Sequence, residues 1–232
     1  MDNLRIKQKK AKSISLIPIG ITGFNLLLGA AALFLIFKGQ LKAVFLIVLL
    51  AALFDFLDGF LARRLDSETR LGSLLDSASD LICFVFCPVF YILAVNRGDN
   101  PFFLKIAVGF YLLAGTVRLV RYTVSVLASE NSKGIFFGLP VTAAAILVMS
   151  SGCCGNAVFH VFLFIICGLL MISKVKYTAF SKLMAVKGEK MFLALIVSLP
   201  FLIFYPLYVV FVFSSVYVVF YPLSGLSQPG RV

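Results

Sequence analysis

Between Asp55 and Asp80 the chain reads DFLDGFLARRLDSETRLGSLLDSASD, a stretch that holds six of the ten acidic residues in the protein. Four of them form two pairs at helical spacing, Asp55 with Asp58 and Asp76 with Asp80. Residues three or four apart share one face of a helix. Two helices joined by a short turn can therefore aim four carboxylates at one point. Anions gathered in that way repel unless cations sit among them. A donor set made only of carboxylate oxygens suits Mg²⁺, Mn²⁺ or Ca²⁺, and the stretch contains no His or Cys to favour zinc. Two such cations sharing several carboxylates would stabilise a phosphoryl group under attack.

The residues between the acids fit a phosphate ester. Gly59 follows Asp58 directly and Ala62 lies about one turn on, so a ligand or a second helix can approach the backbone closely. Arg63 offers a planar fork for a phosphate. Gly72, four residues before Asp76, leaves room on that face too. A solvated hairpin with surface charges would need no small residues at matching positions. An ion path through a channel or transporter also places acids in a membrane, but it gives the spacing of Arg63 and Gly72 no role. Ser77 and Ser79 have no base partner in the motif, so direct displacement is expected rather than a covalent intermediate.

The elements that must position this stretch belong to a membrane protein. Apolar residues make up 61% of the chain, mean hydropathy is +1.05, and runs of about 18 or more mostly apolar residues recur. An ionised Asp at the centre of a spanning helix costs roughly 2.5–3.5 kcal/mol, which marks intramembrane acids as functional. The net charge of +11 does not point to nucleic acid. The basic residues lie between apolar runs, as positive-inside topology and anionic lipid headgroups require. The five cysteines, in or beside apolar segments, read as small apolar fillers, and the single His160 reads as an interfacial or packing residue.

One transmembrane domain is expected over 15–226, after a basic tail at 1–14 and before a short tail at 227–232. The apolar pattern predicts helices over Ser15–Phe37, Leu41–Arg64, Leu71–Val95, Phe102–Ala128, a segment entered at Leu139-Pro140 and ending near Ser150, and Ala157–Ser173. A basic segment runs from Lys174 to Lys190. Met191–Leu226 is too long for one span of ~20 residues, and Tyr205-Pro206 makes a plausible hairpin there, giving about eight helices in an all-α fold. With the N-terminus inside, 17 of the 21 Lys and Arg residues fall on the cytoplasmic side and four outside. That asymmetry sets the orientation and puts the acidic stretch at the cytoplasmic face.

Asp55-x-x-Asp58-Gly59-x-x-Ala62-Arg63, eight residues, then Gly72-x-x-x-Asp76-x-x-x-Asp80 resembles the signature of the CDP-alcohol phosphotransferases at every defined position. The resemblance implies transfer of a phosphatidyl or similar group from a CDP-linked donor to an alcohol, with release of CMP. It implies that Asp55, Asp58 and Asp76 hold a pair of Mg²⁺ or Mn²⁺ ions. Asp80 would complete that site and act as general base. Asp58, Gly59, Ala62, Arg63, Gly72 and Asp76 would bind the CDP moiety. A homodimer in a bacterial-type inner membrane is implied as well.

The acceptor must be read elsewhere. Pro18-x-x-x-Thr22-x-x-Asn25-x-x-x-Gly29, Arg118-Leu119-Val120-Arg121-Tyr122 and Phe137-x-Leu139-Pro140 resemble segments of the members that use CDP-diacylglycerol and L-serine. Arg118 and Arg121, three apart near a cytoplasmic helix end, suit a carboxylate or a diphosphate. Lys133 and Asn25 are further candidates for acceptor or phosphate binding. Glycerol 3-phosphate, inositol phosphate and choline are the alternative acceptors. The sequence departs from the family pattern at Ile19, at Cys83-Phe84-Val85 and at Thr142, all outside the acidic motif.

Overall fold

The computed structural model describes residues 2–65, 70–97, 101–128, 138–154 and 156–173, together with 210, 211, 214, 215 and 218. Side chains are described over 20–57, 72–97, 101–124, 138–152 and 156–173 and at those last five positions. The hairpin at Tyr205-Pro206, most of Met191–Leu226, the basic segment from Lys174 and Lys133 lie outside the described residues.

Every regular element among the described residues is helical: α1 (Asp2–Phe37), α2 (Leu41–Leu65), α3 (Arg70–Asp80), a π-helical stretch (Leu81–Phe86), α4 (Cys87–Val95), α5 (Phe102–Ala128), α6 (Val141–Ser150), a 3-10 turn (Ser151–Cys154) and α7 (Ala157–Ile172). Among the described residues, three helical segments are long and apolar enough to cross a membrane: Gly20–Phe37, Gly72–Val95 and Phe102–Val124. Two shorter apolar helices, α6 and α7, accompany them. Large apolar side chains such as Leu27, Phe34, Phe102, Leu113 and Phe162 face outward. That surface suits acyl chains, and the protein is a multi-pass membrane protein.

Helix α1 begins earlier than the apolar pattern suggests. Arg, Lys, Gln and Ala are good helix formers, and extending an existing helix by a residue costs far less than nucleating one. At its other end, Gly39 takes φ +75°. The Gly39 N–H donates to Ile36 C=O and the Gln40 N–H to Leu35 C=O, both at 3.0 Å. This glycine-capped C-terminus turns the chain sharply into α2.

The segment from Arg70 to Val95 continues as one rod, but not as one α-helix. Within Leu81–Phe86 the register widens, so that the Cys87 N–H reaches back five residues to Ile82 C=O. Among the described helices this stretch is packed by α1, α4, α5 and α6. Cys83, Phe84 and Val85 are buried, and the Tyr111 hydroxyl from α5 donates to Phe84 C=O at 3.1 Å. Two thiols face α1: Cys83 donates to Asn25 C=O at 3.3 Å and Cys87 to Gly29 C=O at 3.6 Å. Cys83, Cys87 and Cys167 are thus buried filler, as expected, and two of them also serve as weak donors between helices.

The far end of the rod is closed by a polar bridge. His160 of α7 donates from Nε2 to Ser151 C=O at 3.2 Å, and its Nδ1 accepts from Asn96 Nδ2 at 2.9 Å. His160, Asn96 and Ser151 are all buried, so His160 has the packing role read from its sequence context. Residues 138–140 strap across the end of α7. Gly138 adopts φ +84° where a side chain would strike the Met171 carbonyl, and the Leu139 N–H donates to Leu170 C=O at 3.0 Å.

Close approach of α1 to the rod depends on Gly29. A Cβ there would lie 2.6 Å from Cys83 Sγ and 2.9 Å from Ile82 Cγ2, whereas a Cβ at Gly23 would meet nothing within 4 Å. Gly29→Ala is expected to destabilise the protein by about 1–3 kcal/mol. Gly23→Ala should be neutral or stabilising by up to about 1 kcal/mol. Thermal melts of the two variants in detergent, against wild type, measure the difference.

Candidate metal and phosphoryl-transfer site

Three of the four expected carboxylates can be followed as side chains, and the fold brings them together. Asp55 comes from α2, Asp76 and Asp80 from α3. One oxygen of each lies within 4.8 Å of the others, and all three residues are partly buried. The 76/80 pair meets because one helical turn separates its members. Asp55 meets them because α1 packs along both α2 and α3 and sets their relative register. Asp58, Gly59, Ala62 and Arg63 lie on the backbone of α2 in the turns after Asp55, and their side chains lie outside the described residues. Gly72 sits in the first turn of α3, one turn before Asp76.

The donor set fits a hard divalent cation. It contains only carboxylates, and three oxygens so close together repel one another without a counter-charge. One atom also lacks a partner: Asp76 Oδ1 is buried and, among the described residues, makes no hydrogen bond. A buried carboxylate oxygen normally has a donor, and a cation coordinated there would satisfy it.

The surroundings hold the acids by their backbones. Ser79 Oγ donates to Asp76 C=O at 2.9 Å. Ser77, next to Asp76, joins Thr123 of α5 through their hydroxyls at 2.6 Å. Ser77 also lies 3.0 Å from Ser73 C=O and Thr123 lies 2.9 Å from Leu119 C=O, so one hydroxyl proton at a time bridges the helices while the other returns to its own turn. This contact holds the end of α5 that carries Arg118 and Arg121 beside the acidic turn of α3. Arg118 is half-buried there and Arg121 is exposed.

Asn25, a candidate for acceptor binding, lies in α1 and is 1% exposed. Its amide is directed at α2: in the orientation that sets donor against acceptor, the nitrogen donates to Ala51 C=O and the oxygen accepts from the Asp55 N–H, each at 3.1 Å. Its neighbour Phe24 meets Phe54 edge-to-face at 5.2 Å. Sequence reading missed two contributors: Thr123, which looks like any polar residue late in an apolar helix, and the Cys83 thiol. A hydroxyl in a lipid-facing chain must find a partner, which marks Thr123 as a contact residue but does not name Ser77.

The family model described as CDP-alcohol phosphatidyltransferase matches residues 15–173. A CDP-diacylglycerol–serine O-phosphatidyltransferase of Methanocaldococcus jannaschii is 33% identical over 160 residues, covering 68% of this chain and 71% of that protein. The protein of the same description from Helicobacter pylori is 27% identical over 220 residues, 88% of this chain and 89% of its own. A CDP-diacylglycerol–glycerol-3-phosphate 3-phosphatidyltransferase of Aquifex aeolicus is 32% identical over 99 residues, 42% of this chain and 56% of its own.

Asp76→Asn replaces one carboxylate of the cluster with an amide. Mn²⁺ affinity, followed by the loss of free-ion electron paramagnetic resonance signal in the purified protein, should fall by more than the ~10–100-fold typical of a lost partner outside the ligand shell. Unchanged Mn²⁺ affinity in this variant would show that the cluster is not a metal site.

Proposed function

The chain belongs to the CDP-alcohol phosphatidyltransferase family, and on that premise we propose that it is a phosphatidylserine synthase, joining the phosphatidyl group of CDP-diacylglycerol to L-serine with release of CMP. The observation that carries the reaction is the convergence of Asp55, Asp76 and Asp80 within 4.8 Å. The acceptor is supported by serine-using relatives that match most of this chain at 27–33% identity. The shorter match to a glycerol-3-phosphate enzyme makes that alcohol the second reading.

In this proposal Asp55, Asp58, Asp76 and Asp80 hold divalent cations, Mg²⁺ or Mn²⁺ and two per site. Bound there, the cations would offset the diphosphate charge and the charge developing on CMP. Asp58, Gly59, Ala62, Arg63, Gly72 and Asp76 receive the CDP moiety, the small residues by leaving room and Arg63 by its fork. Asp80 accepts the proton of the serine hydroxyl, a group too weakly acidic to attack unaided at neutral pH. The serine oxygen bonds to the lipid-side phosphorus as the bond to the CMP oxygen breaks. Arg118, Arg121 and Lys133 are the cations for the serine carboxylate or the diphosphate, whereas the amide of Asn25 is directed at the backbone of α2 beside Asp55.

Eight spans, with Tyr205-Pro206 as the last hairpin, a cytoplasmic N-terminus and active site, and a homodimer in the cell membrane complete the proposal. The placement of Lys and Arg supports the orientation. Phe211, which meets Phe159 of α7 at 6.0 Å between ring centroids, supports a C-terminal part that packs on the same core.

Membranes containing the protein, supplied with CDP-diacylglycerol and Mn²⁺, should release CMP with labelled L-serine and not with glycerol 3-phosphate or inositol 1-phosphate. Release with glycerol 3-phosphate alone would move the protein to the second reading. Asp80→Asn should lose turnover by about 100-fold or more, the scale of a general base, while CDP-diacylglycerol binding, measured by calorimetry in detergent, stays largely intact.

A further inference from the structure

The two polar atoms of the Asn25 amide address both groups of a single turn of α2, and that turn ends on a cluster carboxylate. Its nitrogen reaches Ala51 C=O and its oxygen the Asp55 N–H, both at 3.1 Å. In an α-helix these are the acceptor and donor of one i→i−4 hydrogen bond. A side-chain amide set against that pair fixes the position of the Asp55 peptide relative to α1 and the pitch of the turn that precedes it. The other half of the residue faces the opposite way. The Asn25 carbonyl accepts from Cys83 Sγ at 3.3 Å, three residues beyond Asp80. Gly29, one turn on, keeps this approach close, because any Cβ there would strike the same sulfur.

We propose that Asn25 is a positioning residue for the metal cluster, a clamp from α1 that sets the Asp55 carboxylate of α2 against Asp76 and Asp80 of α3. The proposal rests on the metal reading of that cluster. It accounts for a fully buried amide in an apolar helix, which is costly unless both its polar ends are satisfied. It also gives Asn25 a different task from the arginines near the end of α5: its amide is committed to backbone, and its effect on catalysis passes through Asp55.

Mn²⁺ binding to the purified full-length protein in lipid nanodiscs, read by electron paramagnetic resonance without donor or acceptor, tests this. Asn25→Leu keeps the volume and loses both hydrogen bonds. Its Mn²⁺ affinity should fall about 10- to 100-fold, the range for partners that orient metal ligands. At saturating Mn²⁺ the apparent KM for serine should stay within about twofold of wild type, since no substrate contact is lost. Asn96→Leu is the control for general damage: it removes another buried amide, at the far end of the rod, and should lower the melting temperature without changing Mn²⁺ affinity. If Asn25→Leu does not accumulate, Asn25→Ser carries the test, being too short to span both backbone groups, and unchanged Mn²⁺ affinity in it overturns the proposal. Unchanged affinity in Asn25→Leu does the same, as does a raised serine KM with normal Mn²⁺ binding, or an equal affinity loss in Asn96→Leu. A wild-type protein that binds no Mn²⁺ removes the metal reading itself and this proposal with it. Mn²⁺ binding requires no acceptor, so an error in the acceptor leaves this result untouched.

Discussion

Three carboxylates must be held within 4.8 Å of one another in a chain that is mostly apolar, and much of the architecture follows from that constraint. Like charges so placed push apart, and a low-dielectric surrounding screens them poorly. No pair of adjacent residues can do the holding. The carboxylates come from two helices four residues apart in sequence, so the restoring forces must act on the helices as bodies. Helix α1 supplies them. It packs on α2 through a glycine-capped turn and an aromatic pair, and on the rod beyond α3 through two thiols and a missing Cβ at Gly29. On the other side α5 pins the backbone beside Asp76 through Ser77 and Thr123. The acids are thus gripped between two long helices.

The polar groups that do this work are few and are placed at element boundaries or between helices. In a membrane, burial of apolar surface gives little drive for helix association, so close backbone approach and hydrogen bonds carry more of the specificity. Each such bond is worth only about 0.6–2 kcal/mol. Their value is geometric: Asn25 fixes one turn of α2, Tyr111 fixes one carbonyl of the rod, and His160 with Asn96 and Ser151 closes the far end. Together they leave the rod little freedom to slide or roll.

The acidic motif was legible because its information is local. Spacings of three and four on a helix imply a shared face whatever surrounds it, and Asp76 and Asp80 meet as that rule requires. The ends of α5 were legible too, since the sequence is polar up to Pro101 and polar again from Ser129, and the helix runs from Phe102 to Ala128. What the sequence hid was register between helices. Nothing in Thr22-Gly23-Phe24-Asn25 says that its amide faces Ala51 and Asp55 rather than a ligand, because the answer depends on how far α1 slides along α2. The partners of Asn96 and Thr123 were hidden for the same reason. The π-helical stretch was hidden for another: Leu81-Ile82-Cys83-Phe84-Val85-Phe86 is a plain apolar run with no Gly or Pro to announce a change of pitch.

That change of pitch divides one continuous rod into two halves with separate phases. A π turn accommodates about one residue more than the α-helical path, and one residue is about 100° of rotation. The half that ends at Asp80 can therefore turn its carboxylates toward α2, while the half that begins at Cys87 turns Tyr91 and Ile92 into the core. Deleting one residue between Leu81 and Phe86 amounts to a rotation by that angle: the buried half could keep its packing only by swinging the acids away, or the acids could stay only by exposing the core. Chain length in this apolar stretch is held fixed by the chemistry one turn away, even where side-chain identity is free to vary.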